Sequence, residues 1–427
     1  MLRKIEPAVN FFSFRLRATV VAVVCAVAPS VFLLSCTNDP TPVGSSLYPP
    51  QNKLVLHGLD SFNPADSVSF TYQSILQHVA NGSSATMLTG LYKTYEARDL
   101  LKLGYIVDTS FVFDSIPHMN MKSGYLELNL AGYRLGDTGA TMQFSCTVNQ
   151  ILTNYESGAT WDSLGALSNY SSTPVGSFTG TIGQDDSLLK IPLDTAFIMK
   201  LLRYGSFDSL NTYFQGIAIL PQTGTSGITS FKISAASVHL VFQPDTTIDT
   251  AVMNTIQNIY IVNGNEINPP DEMVMQSGLV QRLHMYIAYP KVPLLSTINS
   301  ASLQLALDTN NSLFGKDHFR DSLGESSRDT MFLLLASSDT TLGVYITAGT
   351  RISGTNTYTF PQIAPFLSLL QHGAANFGIV PIEGFGSGHG AGDEFSTLDR
   401  FAFYSLAAKD TNLRPHVKIF YSTQAQQ

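Results

Sequence analysis

The sequence predicts an all-β protein: two tandem antiparallel β-sandwiches with short helices, placed after an N-terminal signal and tether segment. Three observations carry that expectation. Beyond residue 50 the apolar residues recur with a period of two rather than 3.6, which gives a strand one buried and one wet face. Charged residues make up 13% of the chain, about half the usual share, while Thr, Ser, Tyr and Phe are plentiful, a composition that suits sheets with uncharged polar faces. The same order of elements also occurs twice along the 427 residues, a length that fits two large β domains.

Residues 1–17 carry Arg3, Lys4, Arg15 and Arg17, and residues 18–34 are nearly all apolar. A basic segment followed by an apolar one is the secretory signal design. The run sits at the short limit of the roughly 17–25 residues that cross a bilayer. It ends at Leu33-Leu34-Ser35-Cys36, which resembles the bacterial lipobox. That resemblance implies cleavage before Cys36, lipidation of its thiol and acylation of the new N-terminus. Residues 1–35 are then a lipoprotein signal peptide. One acyl chain holds a protein only marginally and two or more hold it stably, so Cys36 would attach everything after it to a membrane. Residues 36–52, with Pro40, Pro42, Gly44, Ser45 and Ser46, read as a flexible tether. Thr37 is not the acidic residue that retains lipoproteins in the inner membrane of the best-studied Gram-negative bacteria. By the same resemblance the outer membrane is favoured, with the periplasmic and surface-facing leaflets both open.

Alternation then marks the strands in order: Ser67–Tyr72, Tyr125–Leu130, Ser237–Phe242, Ala301–Leu305 and His416–Tyr421. The repeat sets Glu96–Leu103 against Val280–Met285, and Gly124–Leu128 against Ala301–Leu305. It sets a short helical patch at Ile191–Leu202 against one at Phe360–Leu370, and Phe214–Ile219 against Asn376–Pro381. The offsets drift along the chain, as loop insertions and deletions require. Gln243-Pro244-Asp245-Thr246-Thr247-Ile248-Asp249-Thr250 reads as a linker, so residues 53–244 and 245–423 are expected to form the first and second sandwich.

This order resembles the jelly-roll family called DNRLRE, which is linked to carbohydrate-binding modules. It also looks like an uncharacterised family of cell-envelope lipoproteins built on similar sandwiches. The matching positions are Gly90 with Arg98, Leu126 with Leu128, Trp161, and Gly216-Ile217-Ala218-Ile219 in the first half. In the second they are Gly278 with Arg282, Ala301 with Leu303 and Leu305, Gly378, and Arg414-Pro415-His416-Val417. The resemblance spans residues 53–422 and implies jelly-roll topology. The second half departs from it in having no tryptophan, and Asp399-Arg400-Phe401 follows the family's "S-R-E" only loosely.

Few residues announce chemistry. Cys25 lies inside the apolar run and Cys36 ends it, so Cys146 has no partner for an internal disulfide in the mature chain. Cys146 shares an apolar face with Met142, Phe144 and Val148 and reads as a small buried hydrophobe. The net charge of −8 and the lack of basic clusters argue against a nucleic-acid partner. The Gly-rich Glu383–Phe395 segment carries His389, Asp393 and Glu394. It reads as a flexible hairpin loop, or as a loop in which Asp393, Glu394 and backbone carbonyls hold calcium, though EF-hand spacing is absent. Trp161, the only tryptophan, reads as loop packing or as a platform for a sugar ring. No cofactor, catalytic constellation or transition-metal spacing is evident. The expected function is a lipid-anchored, non-catalytic structural or interaction module of the envelope, whose partners are the membrane through Cys36 and another envelope protein. The alternative is a carbohydrate-binding lipoprotein that captures glycans at the cell surface, with Trp161, His389, Asp393 and Glu394 as candidate contacts.

Overall fold

The computed structural model describes residues 54–76, 81, 84, 86–106, 120–136, 139–183, 185–205, 214–243, 248–264, 269–279, 281–315, 330–338, 341–351, 355–383 and 395–424. Cys36, the rest of the signal and tether segment, and His389, Asp393 and Glu394 lie outside the described residues. The chain divides into two units. One is His57–Tyr421, treated below; of the other, only Leu54–Leu56 and Ser422–Gln424 are described, each as a strand end.

The strands are β1 (Leu54–Asp60), β2 (Ser69–Leu76), β3 (Thr86–Tyr92), β4 (Tyr95–Ile106), β5 (Asn120–Gly136), β6 (Thr141–Gln150), β7 (Gly176–Gly183), β8 (Leu188–Pro192), β9 (Ile217–Pro221), β10 (Gly227–Lys232), β11 (Ser237–Gln243), β12 (Asp249–Asn263), β13 (Glu272–Gln276), β14 (Gln281–Ala288), β15 (Thr297–Ala306), β16 (Thr330–Ala336), β17 (Leu342–Arg351), β18 (Thr357–Phe360), β19 (Ile379–Glu383), β20 (Arg400–Tyr404) and β21 (His416–Gln424). The helices are α1 (Trp161–Leu164), α2 (Thr195–Gly205) and α3 (Ala364–Gln371). The protein is therefore all-β and sandwich-like, with two large antiparallel sheets and few short helices.

Alternation builds both cores. Leu126, Leu128 and Leu130 of β5 are buried while Tyr125, Glu127 and Asn129 between them are half-buried. Val238, Leu240 and Phe242 of β11, Leu303 and Leu305 of β15, and Val417, Ile419 and Tyr421 of β21 follow the same rule. One-residue slippage would turn each set out to water, so the pattern fixes the register. Each sheet encloses its own apolar core. In the first sheet the pairings run β12-β11-β5-β10-β3-β4 and return from β4 to β12, so this part of the sheet closes on itself.

The two sheets repeat one set of pairings. In the first, β4 pairs with β3 and β9, β9 with β6, β6 with β7, and β5 with β8 and β11. In the second, β14 pairs with β13 and β19, β19 with β16, β16 with β17, and β15 with β18 and β21. Each helical patch predicted from the sequence begins instead as a strand, β8 or β18, and becomes helical afterwards as α2 or α3. Asp194 stops the strand and caps α2, its Oδ1 accepting from the Ala196 and Phe197 backbone N–H groups at 2.9 and 3.1 Å. The strand after each helix opens on a glycine with positive φ, Gly216 at 128° and Gly378 at 86°. A Cβ on Gly216 would lie 2.4 Å from the Leu101 carbonyl oxygen, so close strand approach requires glycine there.

The sheets are not two consecutive segments of chain. The boundary expected between residues 244 and 245 falls inside the β11–β12 hairpin, and β12 pairs with both β11 and β4 of the first sheet. In the second sheet the corresponding positions are filled by the first strands of the body: β1 lies beside β21, and β2 pairs with β14 from Leu76↔Gln281 to Ser69↔Ala288. The short β11–β12 connection makes the local hairpin entropically cheap, and this keeps β12 with the strand before it.

Candidate functional site

Four places concentrate polar or aromatic chemistry. The first is the long β6–β7 connection, which folds over the outer face of the first sheet. Trp161 opens α1 there and is part-buried. The Arg98 guanidinium carbon lies 4.4 Å from the Trp161 ring centroid and 5.7 Å from that of Tyr170. Arg98 Nε donates to Glu96 Oε1 at 2.6 Å, and its Nη1 donates to the Gly165 carbonyl at 2.8 Å. Tyr170 OH donates to the Leu164 carbonyl at 2.6 Å. Beneath this lid Leu100, Ile151, Tyr155, Ala218 and Ile259 form a third apolar cluster, with Trp161 packed against it. The arrangement gives Trp161 a packing role and places a cation on one face of its ring.

The second place is a buried seam between the sheets. Tyr133 OH donates to Asp399 Oδ1 at 2.8 Å and accepts from the Leu398 N–H at 2.9 Å. Gly315 N–H donates to the same carboxylate oxygen at 2.7 Å. Glu383 Oε2 accepts from Ser277 Oγ at 2.8 Å and from Thr397 Oγ1 at 2.7 Å. Tyr95 OH donates to Gln276 Oε1 at 3.2 Å. Burial, then the Asp399 charge, pushes the Tyr133 phenol well above its ordinary range. Leu279 and Leu398, which belong to the second half of the chain, pack into the core of the first sheet. Asp399, of the Asp399-Arg400 pair that loosely matched the family motif, thus serves in joining the sheets.

A third feature is Asp99, fully buried on β4 next to Arg98. No hydrogen bond of ordinary geometry reaches either of its oxygens. Burial pushes its carboxyl up to about 8, opposed by the nearby Thr89 hydroxyl and Leu88 backbone. Cys146 lies in the same core at 1% exposure, and burial pushes its thiol up to about 12, so it is a packing residue rather than a nucleophile.

The fourth is an acidic pocket at one end of the second sheet. Glu272 begins β13 and Asp308 follows β15, and both are buried. Asn311 Nδ2 donates to Glu272 Oε1 and, at 3.1 Å, to Asp308 Oδ2. Burial, then the Asp308 carboxyl, pushes Glu272 up to about 7, against the hydrogen bond from Asn311. Tyr404 lies beside the pair, and its phenol is raised by burial and by the Asp308 and Glu272 charges.

Of the sequence-predicted site residues only Trp161 lies among the described ones. Neither the seam nor the acidic pocket was anticipated, because their members are scattered: Tyr133 and Asp399 are 266 residues apart and Glu272 and Asn311 39 apart. Among the described residues, no group of three His, Cys, Asp or Glu side chains could hold a metal ion, and no helix is long and apolar enough to cross a membrane. The chain matches no protein-family model and no curated protein.

Proposed function

We propose that the protein is a lipid-anchored envelope protein, held to the outer membrane through Cys36, whose two-sheet body acts as a non-catalytic structural or interaction module. The observation that carries this reading is the place of Cys36, which closes the apolar signal run at Leu33-Leu34-Ser35-Cys36. Cys146 supports it: being buried, it leaves the mature chain one cysteine available for lipidation. The body supports it as well, since Arg98, Trp161 and Asp399 are engaged in covering and joining the sheets.

The test is metabolic labelling with a radioactive fatty acid, followed by fractionation. Wild-type protein should take up label and enter the detergent-soluble membrane fraction. Cys36→Ala should lose the label and keep the uncleaved signal segment, with slower gel mobility. A Cys36→Ala protein with unchanged label and mobility would refute the anchor.

Capture of glycans remains the second reading, on the strength of the jelly-roll resemblance and Trp161. A glycan array separates the two readings. Binding that Trp161→Ala abolishes without loss of fold would replace the interaction-module reading with this one.

A further inference from the structure

We propose that Leu294 and Leu295, on the turn between β14 and β15, enter the lipid bilayer as a wedge and give the body a second, reversible contact with the membrane. The proposal rests on the Cys36 anchor, which brings that surface within reach. Its first support is exposure on a fixed frame. Leu295 is 97% exposed and Leu294 70%. The turn that carries them is nonetheless held from several sides. Val292 and Ile298 on either side of the pair are buried in the second core. Ser296 N–H and Oγ donate to the Pro293 carbonyl at 3.0 and 2.6 Å. Gln371 Nε2, at the end of α3, donates to the Pro293 and Ser296 carbonyls at 2.7 and 3.1 Å. Tyr289 OH donates to the Leu367 carbonyl. A frame fixed in this way keeps both leucines in water until something covers them. One exposed leucine is ordinary, whereas adjoining apolar side chains mark an interaction site.

The second support is what surrounds the pair. An open cleft of about 480 Å³ adjoins the turn, with Ile287, Tyr289, Val292, Leu294 and Leu370 in its wall. Leu369 of α3 is half exposed as well. The chain has 32 Asp and Glu against 24 Lys and Arg, yet neither residues 289–307 nor residues 361–382 contain an acid. The one charged residue of the turn is Lys291, whose Nζ donates to the Ala65 carbonyl. Asp66, in that same bend, is turned to the Asp60 N–H at 2.8 Å. An apolar tip beside a cation, without carboxylates of its own, suits a surface whose hydrocarbon lies behind phosphates.

The third support is reach. Cys36 lies 21 residues before His57, where the body begins. A chain of that length spans at most about 70–75 Å. A compact body the size of His57–Tyr421 is roughly 55 Å across, so the tether lets this turn meet the bilayer. Tethering also raises the local concentration of the two surfaces, so a contact too weak to hold alone becomes occupied.

The test uses the full-length lipidated protein in vesicles of equal parts phosphatidylethanolamine and phosphatidylglycerol, with a spin-labelled lipid as quencher. An environment-sensitive fluorophore is placed at Leu295→Cys or, as control, at Thr223→Cys on the exposed β9–β10 turn. Cys146 is buried and does not compete for label. The residue-295 fluorophore should shift to the blue and be quenched by the spin-labelled lipid, while the residue-223 fluorophore stays as in water. Leu294→Asp added to the labelled protein should remove the shift and leave flotation with the vesicles intact. All three positions are exposed, so the fold is kept. Flotation with a residue-295 fluorophore as wet as the control would overturn the wedge and leave the anchor standing. A full shift retained in Leu294→Asp would overturn it too. Protein that does not float with the vesicles would overturn anchor and wedge together.

Discussion

The first and second sheets share one set of strand pairings and differ in what they place on equivalent positions. β4 carries Arg98-Asp99 where β14 carries Arg282-Leu283, and Leu283 is an ordinary member of the second core. The first sheet therefore buries a carboxyl where the second buries a leucine. The connection between β6 and β7 is long and forms the Trp161 lid, whereas only five residues, 337–341, separate β16 from β17. The second sheet places carboxylates at the end of β15, and the first places Arg134 near the end of β5. A duplicated scaffold keeps the alternation that fills its cores and varies the residues that cap, cover and decorate them.

The sharpest way to break the comparison is to cut what links the copies. Asp399→Ala leaves Tyr133 OH and the Gly315 N–H without their acceptor, and should cost about 3 kcal/mol in urea unfolding. A change within about 0.5 kcal/mol would show the seam to be incidental.

Next comes Asp99. Its folded pKa is about 8 against an ordinary 3.8, so between those values the native state holds a proton that the unfolded chain has lost. Stability should then fall as pH rises through that window and level off above it, by up to about 1.4 kcal/mol per pH unit. Asp99→Asn should flatten that slope, and a wild-type slope retained in the variant would clear Asp99 of the role.

The smallest effect belongs to Arg98→Ala, about 1–2 kcal/mol from the lost ring contact and ion pair. Because Trp161 is the only tryptophan, its emission should shift to the red as the lid loosens. Unchanged emission would mean that Arg98 does not cover the indole.

How much of this could be read from the sequence follows the range of the interactions. Period-two alternation at Leu126–Leu130 or Val417–Tyr421 is local, so strands and cores were legible. Gly216 and Gly378 stood out as repeat equivalents and as positions of the family resemblance, and the structure gives both a positive φ. The exchange of β2 and β12 was not legible, since pairing partners far apart in sequence leave no local mark. The helical patches were legible in place and misjudged in their starts, since Ile191-Pro192 reads equally as strand or helix until Asp194 supplies its cap. The seam and the acidic pocket arise from strand ends meeting in space, and Asp308-Thr309-Asn310-Asn311 alone looks like any polar turn.

The central claim is that strand exchange and the buried seam make His57–Tyr421 one folding unit. Thermal unfolding followed at once by Trp161 fluorescence, which sees the first sheet, and by calorimetry, which sees both, tests it most directly. One calorimetric transition coincident with the fluorescence change is the predicted result. A second, separate heat-absorption peak with Trp161 already unfolded, or still buried, would contradict it.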